Sequence, residues 1–536
     1  MPSANKQVKK TGTRTAKVTR RKRTSPKVKS APPSATATNT NPPLPPDTTA
    51  PTVESWQPAA DEVGVRVRMY RVGFGDFFLL SFLRDGAAPA HVIIDCGVFK
   101  GTSQGGDIGS IEAAVAHMAR VTNGQISLIV MTHRHADHIA GFARCSAVFK
   151  QLRVEAVWMP VWESEYSDTA TKFQAQLLDS AQQLQTHFAQ LGAAASEEQQ
   201  TARKFMENAL GVAGSGSNAA ALDLLKSGLK VPPKYYQEGS KAELPDSLLK
   251  AGLAAKILGP PPIKDLDLMK LMDLQKGVGQ YLSAVQESDA SACAPFGNEW
   301  ELPSPDAYKA LSSKSHGAMA FSEWMPRTGA HQHPVRPERD AQTRMEQALL
   351  GAQPVMALTA AKQLNSFLNN QSLVILFSFK GKNLLFAGDA QAGNWEHWLF
   401  QTDQPDKKAA GQMTDAAREI LSSIDFYKMG HHGSGNATPR TVVRTMGTDA
   451  HKFVSLCSTQ AGVYGTEDPE DPTKGTEVPR IPLLEDLGNK SALVRSDQIP
   501  IKVGTQTIAP AVEQPMPPNG KGYRLAPGDL WVDCFL

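Results

Sequence analysis

A mixed α/β fold is what the 536-residue sequence predicts, and three observations predict it. Short, β-branched and almost uncharged runs such as Gln125–Met131, Ser372–Phe379 and Leu384–Ala387 have the composition of buried strands. Longer stretches, such as Ile111–Val121 and Glu197–Leu210, carry apolar residues at helical spacing. Several apolar runs also stop at a histidine or an aspartate, so ligand-type side chains are expected at strand ends.

Composition narrows the class. Hydrophobic content of 41% and charged content of 20% are ordinary for a soluble globular protein. The length fits two or three domain-sized units, or one large α/β body with insertions. No apolar run approaches the roughly 18 residues of a membrane span, so none is expected to cross a bilayer. Five scattered cysteines (Cys96, Cys145, Cys293, Cys457, Cys534) argue for a reducing compartment, hence a cytoplasmic location, and against a disulfide framework. Without a Cys-x-x-Cys pair, metal ligands are expected to be histidine and carboxylate. Residues 1–30 hold eleven Lys/Arg and no acid, so the formal +3 of the chain conceals a net −8 on the remainder.

Taken in order, residues 1–60 are rich in Lys, Arg, Pro, Ser and Thr and poor in large apolar side chains, and are expected to be a disordered basic arm. Arg20-Arg21-Lys22-Arg23 suits a nucleic-acid tether or, equally, a solvated linker. The ordered body, 61–536, begins near Val63. Val65–Tyr70 alternates as a strand does, Gly73–Asp76 turns into Phe77–Phe82, and His91–Ile94 ends in Asp95-Cys96-Gly97. The helix Ile111–Val121 then leads into the strand Gln125–Met131. From about 165 to 365 the pattern becomes mainly helical, over Lys172–Leu191 and Glu197–Leu210. A Gly/Ser break falls at 214–217, and one strand is expected near Lys256–Pro262. His187, His316, His331 and His333 in this insertion read as solvated or packed residues. Strands return at Ser372–Phe379 and Leu384–Asp389 across a turn at Gly381-Lys382-Asn383. A helix over Thr414–Ser422 precedes Phe426–Ser434, where histidines again follow a strand. Phe453–Cys457, Ile499–Val503 and Leu530–Val532 are the remaining strand candidates.

The densest chemistry lies in Thr132-His133-Arg134-His135-Ala136-Asp137-His138, directly after a buried strand. His133 and His135, two apart in extended backbone, point the same way and can chelate one ion. Asp137 and His138 lie past the turn and can face a second. Imidazole suits zinc, manganese or iron, and carboxylate supplies the harder oxygen ligand. Asp95 is placed to orient a ligand histidine through a hydrogen bond. Asp389 and the pair His431/His432 end two further strands. Ligands gathered at one end of a sheet are what a metal hydrolase needs, since strands fix geometry and loops admit substrate.

These residues resemble the metallo-β-lactamase superfamily, and within it the hydrolase domain of ComEC-type DNA-uptake proteins. The resemblance rests on Gly75-Asp76, Ile94–Gly97, Thr132-His133-x-His135-x-Asp137-His138, Asn370-x-Ser372-Leu373-Val374, Leu385–Asp389 and Lys428-x-Gly430-His431-His432-Gly433-Ser434. It extends weakly into Tyr464-Gly465 and Val494–Asp497, and covers about 63–165 and 365–500. It implies a four-layer αββα sandwich with the helical insertion outside it. It also implies one or two divalent ions, Zn²⁺ or Mn²⁺, with His133 and His135 on the first. Asp137, His138 and His431 would bind the second, with Asp389 bridging. One departure is visible: the third histidine usual at the first metal is replaced at the aligned place, Leu258-Gly259-Pro260, by glycine. Water, Asn370 or a loop histidine such as His316 would complete that site.

Such sites ready a water for attack. Asp137 or Asp389 is the expected proton acceptor, and Lys428 or His432 the phosphate-facing or acid group. The competing readings are a surface lysine and a histidine that orients a ligand. The expected function is a metal-dependent phosphodiesterase or nuclease acting on nucleic acid or a nucleotide, with the basic arm as the nucleic-acid contact. The acidic body is a poor match to a long DNA groove. Alternatives are a small ester, lactone or phosphoester hydrolase with the insertion as lid, and a scaffold with a vestigial metal site.

Overall fold

The computed structural model describes residues 56–99, 109–190, 197–210, 218–265, 354–400, 413–448, 452–499, 501–503, 506–508 and 515–536. The basic arm lies almost wholly outside them, as do Cys293, His316, His331 and His333.

The chain is mixed α/β. An eight-stranded sheet is built by β1 (Val65–Tyr70), β2 (Phe77–Arg84), β3 (Ala87–Cys96), β4 (Gln125–Val130), β5 (Arg153–Pro160), β6 (Pro233–Tyr236), β15 (Arg524–Pro527) and β16 (Trp531–Phe535). Its order is β15-β16-β1-β2-β3-β4-β5-β6. A six-stranded sheet is built by β7 (Leu253–Gly259), β8 (Val374–Phe379), β9 (Lys382–Phe386), β10 (Phe426–Lys428), β11 (Phe453–Cys457) and β12 (Ser491–Arg495). Its order is β12-β11-β10-β9-β8-β7. A small ribbon pairs β13 (Ile501–Val503) with β14 (Gln506–Ile508). Twelve α-helices accompany them among the described residues: α1 (Ile111–Val121), α2 (Ala136–Arg144), α3 (Ser146–Phe149), α4 (Asp168–Gln190), α5 (Glu197–Leu210), α6 (Asn218–Asp223), α7 (Asp246–Ala251), α8 (Pro354–Asn370), α9 (Ala392–Phe400), α10 (Asp415–Ser422), α11 (Arg440–Thr445) and α12 (Ile481–Lys490).

Three apolar clusters order these elements. The alternation of β1 and β2 sends Val65, Val67, Met69, Phe78, Leu80 and Phe82 to one face, where they meet Ile375, Phe377, Phe379, Phe386 and Phe426 of the other sheet. Phe78 stands edge-on to Phe386 at 6.0 Å and Phe82 meets Phe379 at 5.1 Å, so the sheets touch through aromatic side chains. The opposite face of the first sheet, through Leu79, Ile93, Ile129 and Val157, packs on α1, α2 and α6. The opposite face of the second, through Leu376, Leu385 and Tyr427, packs on α9 to α12. A separate cluster, with Trp162, Ala202, Met206 and Leu364, joins α4, α5 and α8.

Each sheet is antiparallel on one side and parallel on the other. The pairs β3/β4 and β9/β10 are parallel. Parallel neighbours end at the same edge, so whatever follows these strands in sequence is brought together in space. The segment expected as a helical insertion is more than helices: β6 extends the first sheet beside β5, and β7 pairs antiparallel with β8 in the second. Trp56 packs against Phe535 at 6.1 Å and lies under the Arg66 guanidinium.

Candidate metal centre

The first half of the centre forms locally. β4 ends at Val130 and leads directly into Thr132 and His133, and α2 starts at Ala136, with His135 as its extended N-cap residue and Asp137 and His138 in its first turn. His133 Nε2 lies 3.0 Å from His135 Nδ1. Asp95, held in the left-handed region at φ 54°, turns its carboxylate onto this stretch. It accepts from the Thr132 N–H at 2.7 Å, from Thr132 Oγ1 at 2.6 Å and from His138 Nδ1 at 2.7 Å. That orients the His138 ring and leaves Nε2 facing the centre. Gly97 is required here: a Cβ would lie 2.1 Å from the Asp137 carbonyl carbon and the His138 nitrogen, so the first turn of α2 could not approach β3.

The second half arrives from the other sheet. Asp389 follows β9, with its backbone N–H donating to Ser372 Oγ at 3.1 Å. Its Oδ2 lies 3.0 Å from His138 Nε2. His431 and His432 follow β10 at φ 46° and 53°, backbone that is strained for residues with a side chain. The turn points them apart. His432 is fully buried, donates from Nδ1 to the Ser458 carbonyl at 2.8 Å and from Nε2 to Asp137 Oδ2 at 3.2 Å. His431 is partly exposed, 3.8 Å from Asp389 Oδ2, and ringed by the side-chain amides of Asn369, Gln391 and Asn436.

One ligand atom from each of Asp137, His138, Asp389 and His432 falls within 4.8 Å of all the others. It is therefore His432, expected as an acid group, that joins this set, while His431, expected as a ligand, stands at its rim. Lys428 also differs from its expected place. It is buried, ion-paired with Asp76, 3.6 Å from Asp389 Oδ1 and donating to the Gly388 carbonyl at 3.2 Å. Its ammonium thus lies between the carboxylates of Asp76 and Asp389. Gly259 is set against Asn394 and Val374. From the second sheet's side, Ser372 Oγ lies 3.3 Å from His133 Nδ1 and Asp389 Oδ2 lies 3.9 Å from its Nε2. Asn370 Oδ1 accepts from the Gln391 and Asn394 N–H groups at the start of α9.

Electrostatics suit a cation. Burial pushes His133 well below the usual histidine range and His135 down to about 4, so both imidazoles are neutral, the form that binds metal. Burial opposes charge on His138 and His432 too, but Asp389, Asp95 and Asp76 hold His138 well above the ordinary value, and Asp76, Asp389 and Asp137 raise His432. Burial would also raise the Asp137 carboxyl, yet the hydrogen bond from His432 and the charges of His138 and His432 hold it at about 2. In Asp389, burial is likewise outweighed by His138, His431 and His432, which keep it ionised. Carboxylates and imidazoles thus hold one another in pairs that a metal replaces by taking the place of the Nε2 protons. His135 Nε2 and Asp137 Oδ1 are buried without a hydrogen bond, and His138 Nε2 and Asp389 Oδ2 face each other at 3.0 Å, so these residues fit a divalent ion. A second acid group, Asp76 with Asp95 and His138, is already filled by Lys428 and Thr132 and supports the first.

Asp76, Ser372 and Ser458 received no individual role from the sequence. Asp76 and Ser372 fall within the quoted motifs, and Ser458 directly follows β11, the same strand-end signal in weaker form. No family model matches the chain, and no curated protein matches it.

Proposed function

We propose that the chain is a metal-dependent hydrolase of the metallo-β-lactamase type, with an αββα arrangement of layers, acting on a phosphodiester bond of a nucleic acid or nucleotide. The observation that carries this reading is the convergence of one ligand atom each from Asp137, His138, Asp389 and His432, from both sheets, within 4.8 Å. Asp137, His138, Asp389 and His432 would hold one ion, and His133 and His135 would share in a second. Zinc or manganese fits this donor set. When bound, such an ion supplies Lewis acidity and a water made nucleophilic near neutral pH.

The chain's own residues supply the rest. Asp389, which meets His138 across the joint, would be the acceptor for a proton of the water, and Asp137 the alternative. Asp95 and Ser458 fix the rings of His138 and His432. His431, partly exposed on the rim, is placed to meet the substrate. The basic arm would retain a polyanion. Cys96, Cys145, Cys457 and Cys534 are free, which agrees with a reducing, cytoplasmic setting. No helix among the described residues is long and apolar enough to cross a membrane.

A small ester or lactone is the second reading, favoured by the burial of the ligands under α5. Purified full chain, loaded with Mn²⁺ or Zn²⁺, should cleave a chromogenic phosphodiester, and metal analysis should find bound ion. Cleavage of a lactone or carboxylic ester alone would select the second reading. Absence of any turnover together with absence of bound metal would refute both. Nucleic-acid binding that persists with the same salt slope after removal of residues 1–60 would refute the role given to the arm.

A further inference from the structure

His133, His135, Asp137, His138, Asp389 and His432 are each no more than 1% exposed. A centre that turns over substrate cannot stay closed, so the cover must have a part that opens. α5 is that part. Its Asn208 side chain accepts from the Asp137 N–H at 3.2 Å, which lays the helix across the first half of the centre. It packs on α4 and α8 through Ala202 and Met206, the side on which it would pivot, and two further contacts reach the loop after β11 on the second sheet. Lys204 Nζ donates to the Val463 carbonyl at 2.8 Å, and Phe205 stacks on Tyr464 at 5.3 Å with the rings 10° from parallel. Tyr464 leads back to the ligands through Phe74, which lies 5.3 Å from it and 4.2 Å from the His432 ring. The Tyr464 hydroxyl is buried and has no hydrogen bond.

We propose that α5 is a gate over the centre, latched by the Phe205–Tyr464 stack and the Lys204–Val463 hydrogen bond. Lifting it frees one face of Tyr464 and its hydroxyl beside the ligands. A planar ring stacks there in place of Phe205, gaining what base–aromatic stacking provides. The substrate class is accordingly a small phosphodiester of nucleotide size carrying such a ring, and the interior of a long duplex is excluded. Both the gate and the substrate class rest on the hydrolase reading above, but the first test of the gate needs no turnover.

Histidine modification tests the gate without turnover. The full chain, stripped of metal, is treated with diethyl pyrocarbonate, and modification of His133 and His135 is followed by peptide mass spectrometry. Phe205→Ala should raise their rates by up to about tenfold, the loss of one aromatic stack. Lys204→Ala, a milder change, should act in the same direction. His91, buried in β3 and hydrogen-bonded to Ser81 at 2.9 Å, is the internal control and should not change. Rates unchanged in both variants, or a rise that His91 shares, overturn the gate. With metal restored, bis(p-nitrophenyl) phosphate should be cleaved while closed circular duplex DNA stays unnicked. Nicking by the wild-type chain overturns the substrate class. If neither is cleaved, the phosphodiesterase reading fails, and the histidine rates still decide the gate.

Discussion

The first sheet builds its half of the centre from one short stretch, Thr132 to His138, braced by Asp95 on the adjacent strand. The second builds its half from segments far apart in the chain: Ser372 before β8, Asp389 after β9, His432 after β10 and Ser458 after β11. The two halves meet where Asp389 Oδ2 lies 3.0 Å from His138 Nε2 and His432 Nε2 lies 3.2 Å from Asp137 Oδ2. The first half depends on a single strand-to-helix junction. The second exists only once three parallel strands are in register and the sheets have packed. A local half keeps its geometry after a single change on the other sheet, whereas the assembled half depends on buried charge.

The contrast is broken most severely at the joint. Asp389→Ala removes the carboxylate that meets His138, and should weaken metal binding by more than the ten- to hundredfold typical of a supporting residue. Metal analysis after dialysis checks this; full metal content in the variant would mean the halves work independently. Next in size is Lys428→Met, which strands Asp76 in the interior. Breaking a buried pair this way costs about 3–5 kcal/mol, read as a lower midpoint in denaturant unfolding. A variant of normal stability that had lost only activity would return Lys428 to the substrate.

Asp95→Asn acts within the first half. It weakens the orientation of His138 while keeping a hydrogen-bonding side chain, and should cost about ten- to hundredfold in metal affinity by competition with a chelator. An unchanged affinity would show that α2 alone positions the ring. The smallest effect belongs to the first sheet away from the centre. Burial first, then Arg66, Arg84 and Arg68, push His91 down to about 3, so it folds neutral and takes up a proton on unfolding in mild acid. Its contribution is complete above the unfolded value of about 6.5 and is lost as pH falls from there towards about 3. At about pH 5 the loss is about 2 kcal/mol. His91→Gln should flatten the stability profile between about pH 6.5 and 4 and leave metal binding alone.

Much of the local structure was legible. The helices Ile111–Val121 and Glu197–Leu210 and the strands Val65–Tyr70 and Phe453–Cys457 have the bounds their periodicity predicts. β5 and β6 gave no comparable signal. β6 is four residues long and partly exposed, and β5 opens on a mixed, partly exposed segment before its buried end. The helix α9 is buried throughout, so it has no polar face to mark its period.

That strand ends carry metal-ligand chemistry was legible in the sequence alone, because a strand ending in clustered imidazoles and carboxylates states its chemistry within a few positions. Which neighbour does which task was decided by tertiary structure. His431 and His432 are adjacent and chemically identical, and only the left-handed turn after β10 sends one into the interior and the other to the rim. The same holds for Lys428. As a strand residue it could face either side, and packing of the second sheet against the first puts its ammonium beside Asp76. Periodicity describes a side chain's direction relative to its own element, whereas a site between two sheets depends on how those elements meet.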